Sequence, residues 1–188
     1  VYGHLRLASP LPENAGAPLS IIMVQGNIDQ NQKWDPAFQE TTLTHYLDMS
    51  QRALNNARAT HPESAPALVL WPETAMPFYF QAHAEYAGRL RRFAADNNVN
   101  LGFGALGVDR DPDDPRGSNQ LFNRLYLLSS QGRVTGAYDK QHLVPFGEYI
   151  PFASSLTFLR NIVQGLDFSP GFNTKPLLLV RPEAKPDP

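Results

Sequence analysis

Apolar residues occur in two kinds of run along this chain. Leu19 to Gln25 (LSIIMVQ) and Ala67 to Trp71 (ALVLW) are nearly continuous apolar stretches of strand length. Each reads as a buried strand, the first of them central in a sheet. Between them Phe38, Leu43, Tyr46, Leu47, Leu54 and Ala57 recur at helical spacing, with Gln, Arg and Asn on the wet side. Asp35-Pro36 supplies an N-cap and a proline for the first helical position, so a helix is predicted over 36–59. Tyr86, Leu90, Phe93 and Ala94 define one face of a second helix over 82–97, opposite Arg89, Arg91 and Arg92. Asn97-Asn98 closes it, because Asn tolerates the left-handed cap geometry. Val99 to Leu106 alternates as a third strand, and Leu121 to Leu128 and Arg133 to Tyr138 are two more, joined by a hairpin turn at Ser129–Gly132. Strand, helix, strand, helix, strand and then a hairpin predict an α/β layered domain with parallel and antiparallel pairs.

The remaining stretches are less regular. Residues 1–18 hold proline pairs and small residues and read as a lead-in linker. The polar, Pro-rich 109–118 segment reads as a surface loop. Residues 150–172 are apolar but poorly periodic, with a short helix expected near Ser154–Arg160 and a last short strand at Leu177–Val180. Residues 181–188 read as a polar tail, a loop cut short. Val1 is not an initiator methionine, so the chain is expected to be a processed product or an excised piece.

Composition narrows the function. The 188 residues are 42% hydrophobic and 18% charged with a net charge of −2, which fits one globular domain and gives no basic patch for nucleic acid. Prolines number 17, well above the usual ~5%, and imply stiff loops. There is no cysteine, which removes disulfides, thiolate metal sites and a cysteine nucleophile within this chain. No apolar run reaches the ~18 residues a membrane span needs. The five scattered histidines show no metal-ligand spacing, and His142 is expected to be a structural hydrogen-bonder.

Candidate chemistry lies at two strand ends. Tyr138-Asp139-Lys140-Gln141-His142-Leu143-Val144-Pro145-Phe146-Gly147-Glu148-Tyr149 follows the last hairpin strand, and Pro145 and Gly147 keep it from becoming helical. Trp71-Pro72-Glu73-Thr74-Ala75 follows the second buried strand. There Glu73, beside Trp71, is expected to be partly desolvated and so suited to general-base work. Each stretch alone also reads as an ordinary surface turn. Together they offer two carboxylates flanking one ammonium: Glu73 or Glu148 to take a proton, Lys140 to hold a developing oxyanion. No Ser or Thr sits in a Gly-x-Ser-x-Gly elbow, so no attacking group is evident.

These stretches resemble the nitrilase superfamily of carbon–nitrogen hydrolases, and within it the apolipoprotein N-acyltransferase family. The matching residues are Val24-Gln25-Gly26-Asn27-Ile28 with Lys33-Trp34-Asp35, Trp71 to Ala75, Phe122-Asn123, Tyr138 to Pro151, and Phe168-Ser169-Pro170-Gly171. The likeness spans about 19–175, and Val1-Tyr2-Gly3-x-Leu5-Arg6 is similar to the exit from that family's preceding membrane bundle. The resemblance implies an α-β-β-α sandwich, here incomplete at its C-terminal end, over 19–188. It implies that Glu73 is the general base, Lys140 the oxyanion-stabilising residue and Glu148 a supporting carboxylate of a Glu-Lys-Cys triad. Trp34, Phe146 and Tyr149 would contact substrate. The implied reaction moves an acyl chain from a phospholipid to a cysteine thiolate, then from that thioester to the α-amine of a diacylglyceryl-cysteine lipoprotein, at the periplasmic face of a bacterial inner membrane and without a cofactor or metal. That family's cysteine lies in a Cys-Tyr-Glu segment after the next strand, which this chain does not include, so the 188 residues alone are expected not to turn over.

Two other readings remain open. One is a soluble nitrilase-type amidase, which needs the same Glu, Lys and Cys but no apolar arms. The other is a non-catalytic binding domain of the same fold, consistent with the absence of cysteine. Apolar segments after Glu73 (Met76-Pro77-Phe78-Tyr79-Phe80) and over 150–172 are expected to rest on a bilayer if the acyltransferase reading holds.

Overall fold

The computed structural model describes residues 2–8, 19–110, 118–149 and 167–172. In chain order its elements are α1 (Tyr2–Ala8), β1 (Ile21–Met23), α2 (Gln30–Lys33), a 3-10 turn (Pro36–Phe38), α3 (Gln39–Thr60), β2 (Leu68–Leu70), β3 (Met76–Tyr79), α4 (Ala84–Asp96), β4 (Asn100–Arg110), β5 (Asn119–Leu128) and β6 (Val134–Asp139). The sheet runs β1-β2-β4-β5-β6, with β3 also paired to β4. β1, β2 and β4 are parallel. Parallel neighbours need crossover connections, which α3 and α4 provide. The pairs β4–β5 and β5–β6 are antiparallel.

The helix periodicities explain where the core sits. Leu43, Tyr46 and Leu54 of α3 and Leu90, Phe93 and Ala94 of α4 pack on Val69, Leu101, Phe103, Ala105, Tyr126 and Leu128 of the sheet. Each fully buried Leu or Phe here contributes roughly 1.5–3 kcal/mol. Asp35 caps as expected, its Oδ1 accepting from the Ala37 N–H at 2.9 Å with Pro36 next, although the first turn is 3-10 before α3 proper. The cap after α4 is also as expected, with Asn98 at φ +46°. In the β5–β6 turn, Gly132 has φ +72°, and a Cβ there would meet the carbonyl oxygen of Arg91 at 2.5 Å.

Strand alternation leaves a second face with a different lining. Along β4, Gly102 pairs with Leu70 and Leu127, and Gly104 pairs with Leu125, which pairs in turn with Tyr138. Asn123 and Lys140 line the same cleft as Leu70, Leu125 and Tyr138.

Three expectations change. The first strand is short and lies at the end of the order among the described residues, with Ile21 47% and Met23 82% exposed; it is not central. Residues 76–79 form β3, and Met76, Phe78 and Phe80 are buried in the core. They hold α4 to the sheet and present no apolar arm to a bilayer. Residues 2–8, expected as linker, form α1. The helix expected near 154–160, the strand at 177–180 and the lid expected over 150–172 lie outside the described residues, apart from 167–172.

Candidate active site

Glu73 owes its position to what lies on either side of it. The Trp71 N–H donates to the Gly102 carbonyl at 2.8 Å. Its ring is buried, stacks on Tyr46 at 5.0 Å and donates from Nε1 to Ser50 Oγ at 2.8 Å. With Trp71 pinned to the helix side, the chain turns back at Pro72, whose carbonyl accepts from Ala75 N at 3.2 Å and Gly104 N at 3.3 Å. The turn passes so closely over β4 that a Cβ on Gly104 would lie within 2.8 Å of the Pro72 oxygen and closer still to the Thr74 nitrogen. Thr74 is held at φ +49°, a costly conformation for a β-branched residue. Glu73, at the apex, is therefore directed away from the core, with its side chain 58% exposed. This corrects the expectation that Trp71 desolvates it: the indole and the carboxylate leave opposite sides of the turn.

Lys140 follows β6 directly, and its N–H donates to the Asn123 carbonyl at 2.9 Å, continuing the ladder by one residue. Its Nζ lies 3.0 Å from Glu73 Oε1 and 3.0 Å from Glu148 Oε1. Glu148 comes from a turn folded on itself. Its N–H donates to the Val144 carbonyl at 2.9 Å, and its Oε2 accepts from the Val144 N–H at 2.8 Å. Phe146 in that turn sits at φ +63° and donates to the Tyr149 carbonyl at 2.8 Å. The segment 168–171 ties the Lys140–Glu148 loop to the start of β5: Phe168 N donates to the Glu148 carbonyl, Ser169 N to the Leu121 carbonyl, and Gly171 N to the Lys140 carbonyl. A Cβ on Gly171 would meet the Asp139 Cβ at 2.6 Å, so this contact also depends on glycine.

Asn123 is the fourth member, quoted above only as part of a motif. Its Nδ2 donates to Glu73 Oε1 and, at 2.8 Å, to Glu148 Oε1. One amide thus ties both carboxylates to a single strand position. A hint was available in the sequence, since a buried Asn in mid-strand runs against strand preference and needs a partner.

The charges differ in how firmly they are held. Burial opposes the Lys140 charge, but hydrogen bonds to Glu148 and Glu73 outweigh it and keep the ammonium above its ordinary value. Burial likewise opposes the Glu148 charge, and the Val144 N–H, Lys140 and Asn123 outweigh it, holding the carboxyl below its ordinary value. Glu148, 14% exposed with three donors, is a fixed anion. Glu73 keeps an exposed edge open to an incoming group. Beneath them Arg124, on the helix-side face of β5, pairs with Asp139 and Asp109 and fixes the end of β6 from which Lys140 leaves.

A cleft of about 340 Å³ opens in front of these residues, lined by Leu70, Leu125, Tyr138, Glu73, Asn123 and Lys140 among others. Of the residues expected to contact substrate, Trp34 follows α2 and is 42% exposed, Phe146 is 55% exposed, and Tyr149 is half-buried beside it. None of the three lines this cleft. His142 is exposed. Among the described residues there is no cluster of His, Asp or Glu that could hold a metal ion, and no helix long and apolar enough to cross a membrane.

Comparison with known proteins adds to this geometry. The carbon-nitrogen hydrolase family model matches residues 23–163. An apolipoprotein N-acyltransferase from Geobacter metallireducens is 43% identical over 171 residues, covering 90% of this chain and 30% of the relative. One from Methylococcus capsulatus is 35% identical over 167 residues, covering 87% of this chain and 29% of its own length. The chain thus spans about 30% of the curated relatives it matches. Among solved structures, a mutant amidase of the nitrilase superfamily from Nesterenkonia AN1 has a TM-score of 0.50 at 20% identity, over 85% of this chain and 51% of the amidase. That likeness concerns the fold.

Proposed function

The chain belongs to the carbon-nitrogen hydrolase family, and from that premise we propose that it is part of the catalytic domain of a lipoprotein N-acyltransferase. In this reading the whole enzyme moves an acyl chain from a phospholipid to the N-terminal amine of a diacylglyceryl-cysteine lipoprotein. It works at the periplasmic face of a bacterial inner membrane. The observation that carries the reading is the Lys140 ammonium held 3.0 Å from each of two carboxylates in front of a largely apolar cleft. The names of the relatives matched over most of this chain support the choice of acyl transfer over amide hydrolysis.

The geometry divides the roles. Glu148, fixed as an anion by three donors, orients Lys140. Lys140 offers its ammonium to the oxyanion that develops when a carbonyl is attacked. Glu73, with its exposed edge, is the group free to accept a proton. Acylation requires a thiol, which these 188 residues do not contain. With that thiol, its sulfur attacks the donor's ester carbonyl, the C–S bond forms, the ester C–O bond breaks, and the proton passes through Glu73 to the departing alcohol. Trp34, Phe146 and Tyr149 lie outside the cleft walls, so their contact would be with acyl chain or lipid beyond it.

The test is turnover by the full-length protein carrying this sequence, with phospholipid as donor and a diacylated lipopeptide as acceptor. N-acyl lipopeptide should form with the parent and fall by about 1,000-fold or more in Glu73→Gln and Lys140→Met. The 188 residues alone should form none. Hydrolysis of small amides without acyl transfer would point instead to an amidase.

A further inference from the structure

Glu73 is a wall of two clefts. The second, of about 200 Å³, is bordered by Gln25, Asn27, Gln30, Lys33 and the Pro72–Ala75 turn, and it shares only Glu73 with the first. The walls differ in chemistry. The apolar side chains of the first are Leu70, Leu125 and Tyr138, which suit a hydrocarbon chain. The second presents amide side chains, an ammonium and turn backbone, which suit a polar group. Its shape is built in. Asn27 is held at φ +49° and its Oδ1 accepts from Gln25 Nε2 at 2.8 Å. A Cβ on Gly26 would run into the Tyr46 ring at 2.5 Å. Lys33 is half-buried, with its Nζ 6.0 Å from the Trp34 ring centroid. Burial lowers its pKa, and the charge of Glu73, close enough to act on it, works the other way.

Acyl transfer through a thioester brings two unlike molecules to one carbonyl in turn. When the second arrives, the acyl chain of the first still fills the apolar cleft. The second must therefore reach the same base from another side. Resting on the acyltransferase reading above, we propose that the polar cleft is the acceptor subsite, taking a primary amine carried on a peptide, with Lys33 and Gln30 contacting the peptide groups next to it. The amine nitrogen attacks the thioester carbonyl carbon; the C–N bond forms and the C–S bond breaks. The amine proton passes to the Glu73 carboxylate and on to the departing thiolate, so Glu73 ends ionised as it began. An ammonium in the cleft disfavours a second positive charge, so Lys33 also selects the amine in its neutral, nucleophilic form.

Ping-pong kinetics separate the two halves, because kcat/KM for the donor reports acylation alone and kcat/KM for the amine reports the second step alone. In the full-length protein, Lys33→Met and Gln30→Leu should each lower kcat/KM for the lipopeptide acceptor about tenfold and change the donor value by less than about twofold. Leu125→Trp, which obstructs the apolar cleft, should do the reverse. Retained acylation also shows that the variants are folded. An unchanged acceptor value in both variants, or donor and acceptor values that fall together, overturns the assignment. A parent enzyme that forms no acyl-enzyme overturns the acyltransferase reading and this assignment with it.

Discussion

Gly104 lies so close beneath the Pro72–Ala75 turn that the turn rests on β4 with no room for a side chain, and the Gly104 N–H donates to the Pro72 carbonyl at 3.3 Å. The conformation of Glu73 depends on a residue in a different strand. Gly104→Ala should push the turn outward and separate Glu73 from Lys140. Misplacement by about 1 Å costs on the order of 100-fold in rate, and overpacking costs about 1–3 kcal/mol in stability. Steady-state turnover and thermal unfolding of the same variant measure both. Parental turnover would show that the turn can shift without consequence.

Asn123 should matter through the two carboxylates it connects. Asn123→Leu removes the donor shared by Glu73 and Glu148 and leaves the β4–β5 ladder intact. Activity should fall by about 100-fold, since the carboxylates lose their common anchor. The pH–rate profile should also change shape, which loss of packing alone would not cause. An unaltered profile would reduce Asn123 to a structural role.

Stability should depend on pH through Glu148. Its folded carboxyl is held below the ordinary value, so it contributes stability above its unfolded value of about 4.3. That contribution is lost as the pH falls through the lower, folded value. Lys140 has the opposite sign: held above its ordinary value, it contributes below its unfolded value of about 10.4 and loses that contribution as the pH rises through the folded one. Unfolding of parent and Glu148→Gln should therefore differ most near neutral pH and converge in acid. A constant difference across the acidic range would remove the linkage.

Phe78 separates a core role from a membrane role. It is 2% exposed and packs on Tyr86 and His83. Phe78→Ala should cost about 3–5 kcal/mol of stability. Liposome binding by whatever protein remains folded should be unchanged. Weakened binding at parental stability would return residues 76–80 to the bilayer.

Much of this was legible in the residues. The helical periodicities of Leu43–Leu54 and Tyr86–Ala94 located α3 and α4, because both bury one face only. The alternation from Val99 located β4, and the turn residues located the β5–β6 hairpin. Glu73, Lys140 and Glu148 could be singled out as charges at strand ends. What sequence alone did not reveal depends on contacts between distant segments. Ile21–Met23 looks like a central strand by composition, but its neighbours leave Met23 in solvent. Met76–Tyr79 looks like an apolar arm because its strand partner, β4, begins more than 20 residues later. Asn123 carries no charge, and beyond its unusual place in mid-strand only the structure shows that its partners are the two carboxylates. Trp71 gave a misleading cue: adjacency in sequence suggested that it shields Glu73, yet the turn sends the two side chains apart.

The most direct test of the Glu73–Lys140–Glu148 site is the intact mass of the full-length protein after mixing with phospholipid and no acceptor. The parent should gain the mass of one acyl chain and lose it on adding a lipopeptide, and Glu73→Gln should acquire the adduct at least about 100-fold more slowly. No adduct on the parent, or an adduct forming at the parental rate in Glu73→Gln, would contradict the assignment of Glu73 as the base of an acyl-transfer site.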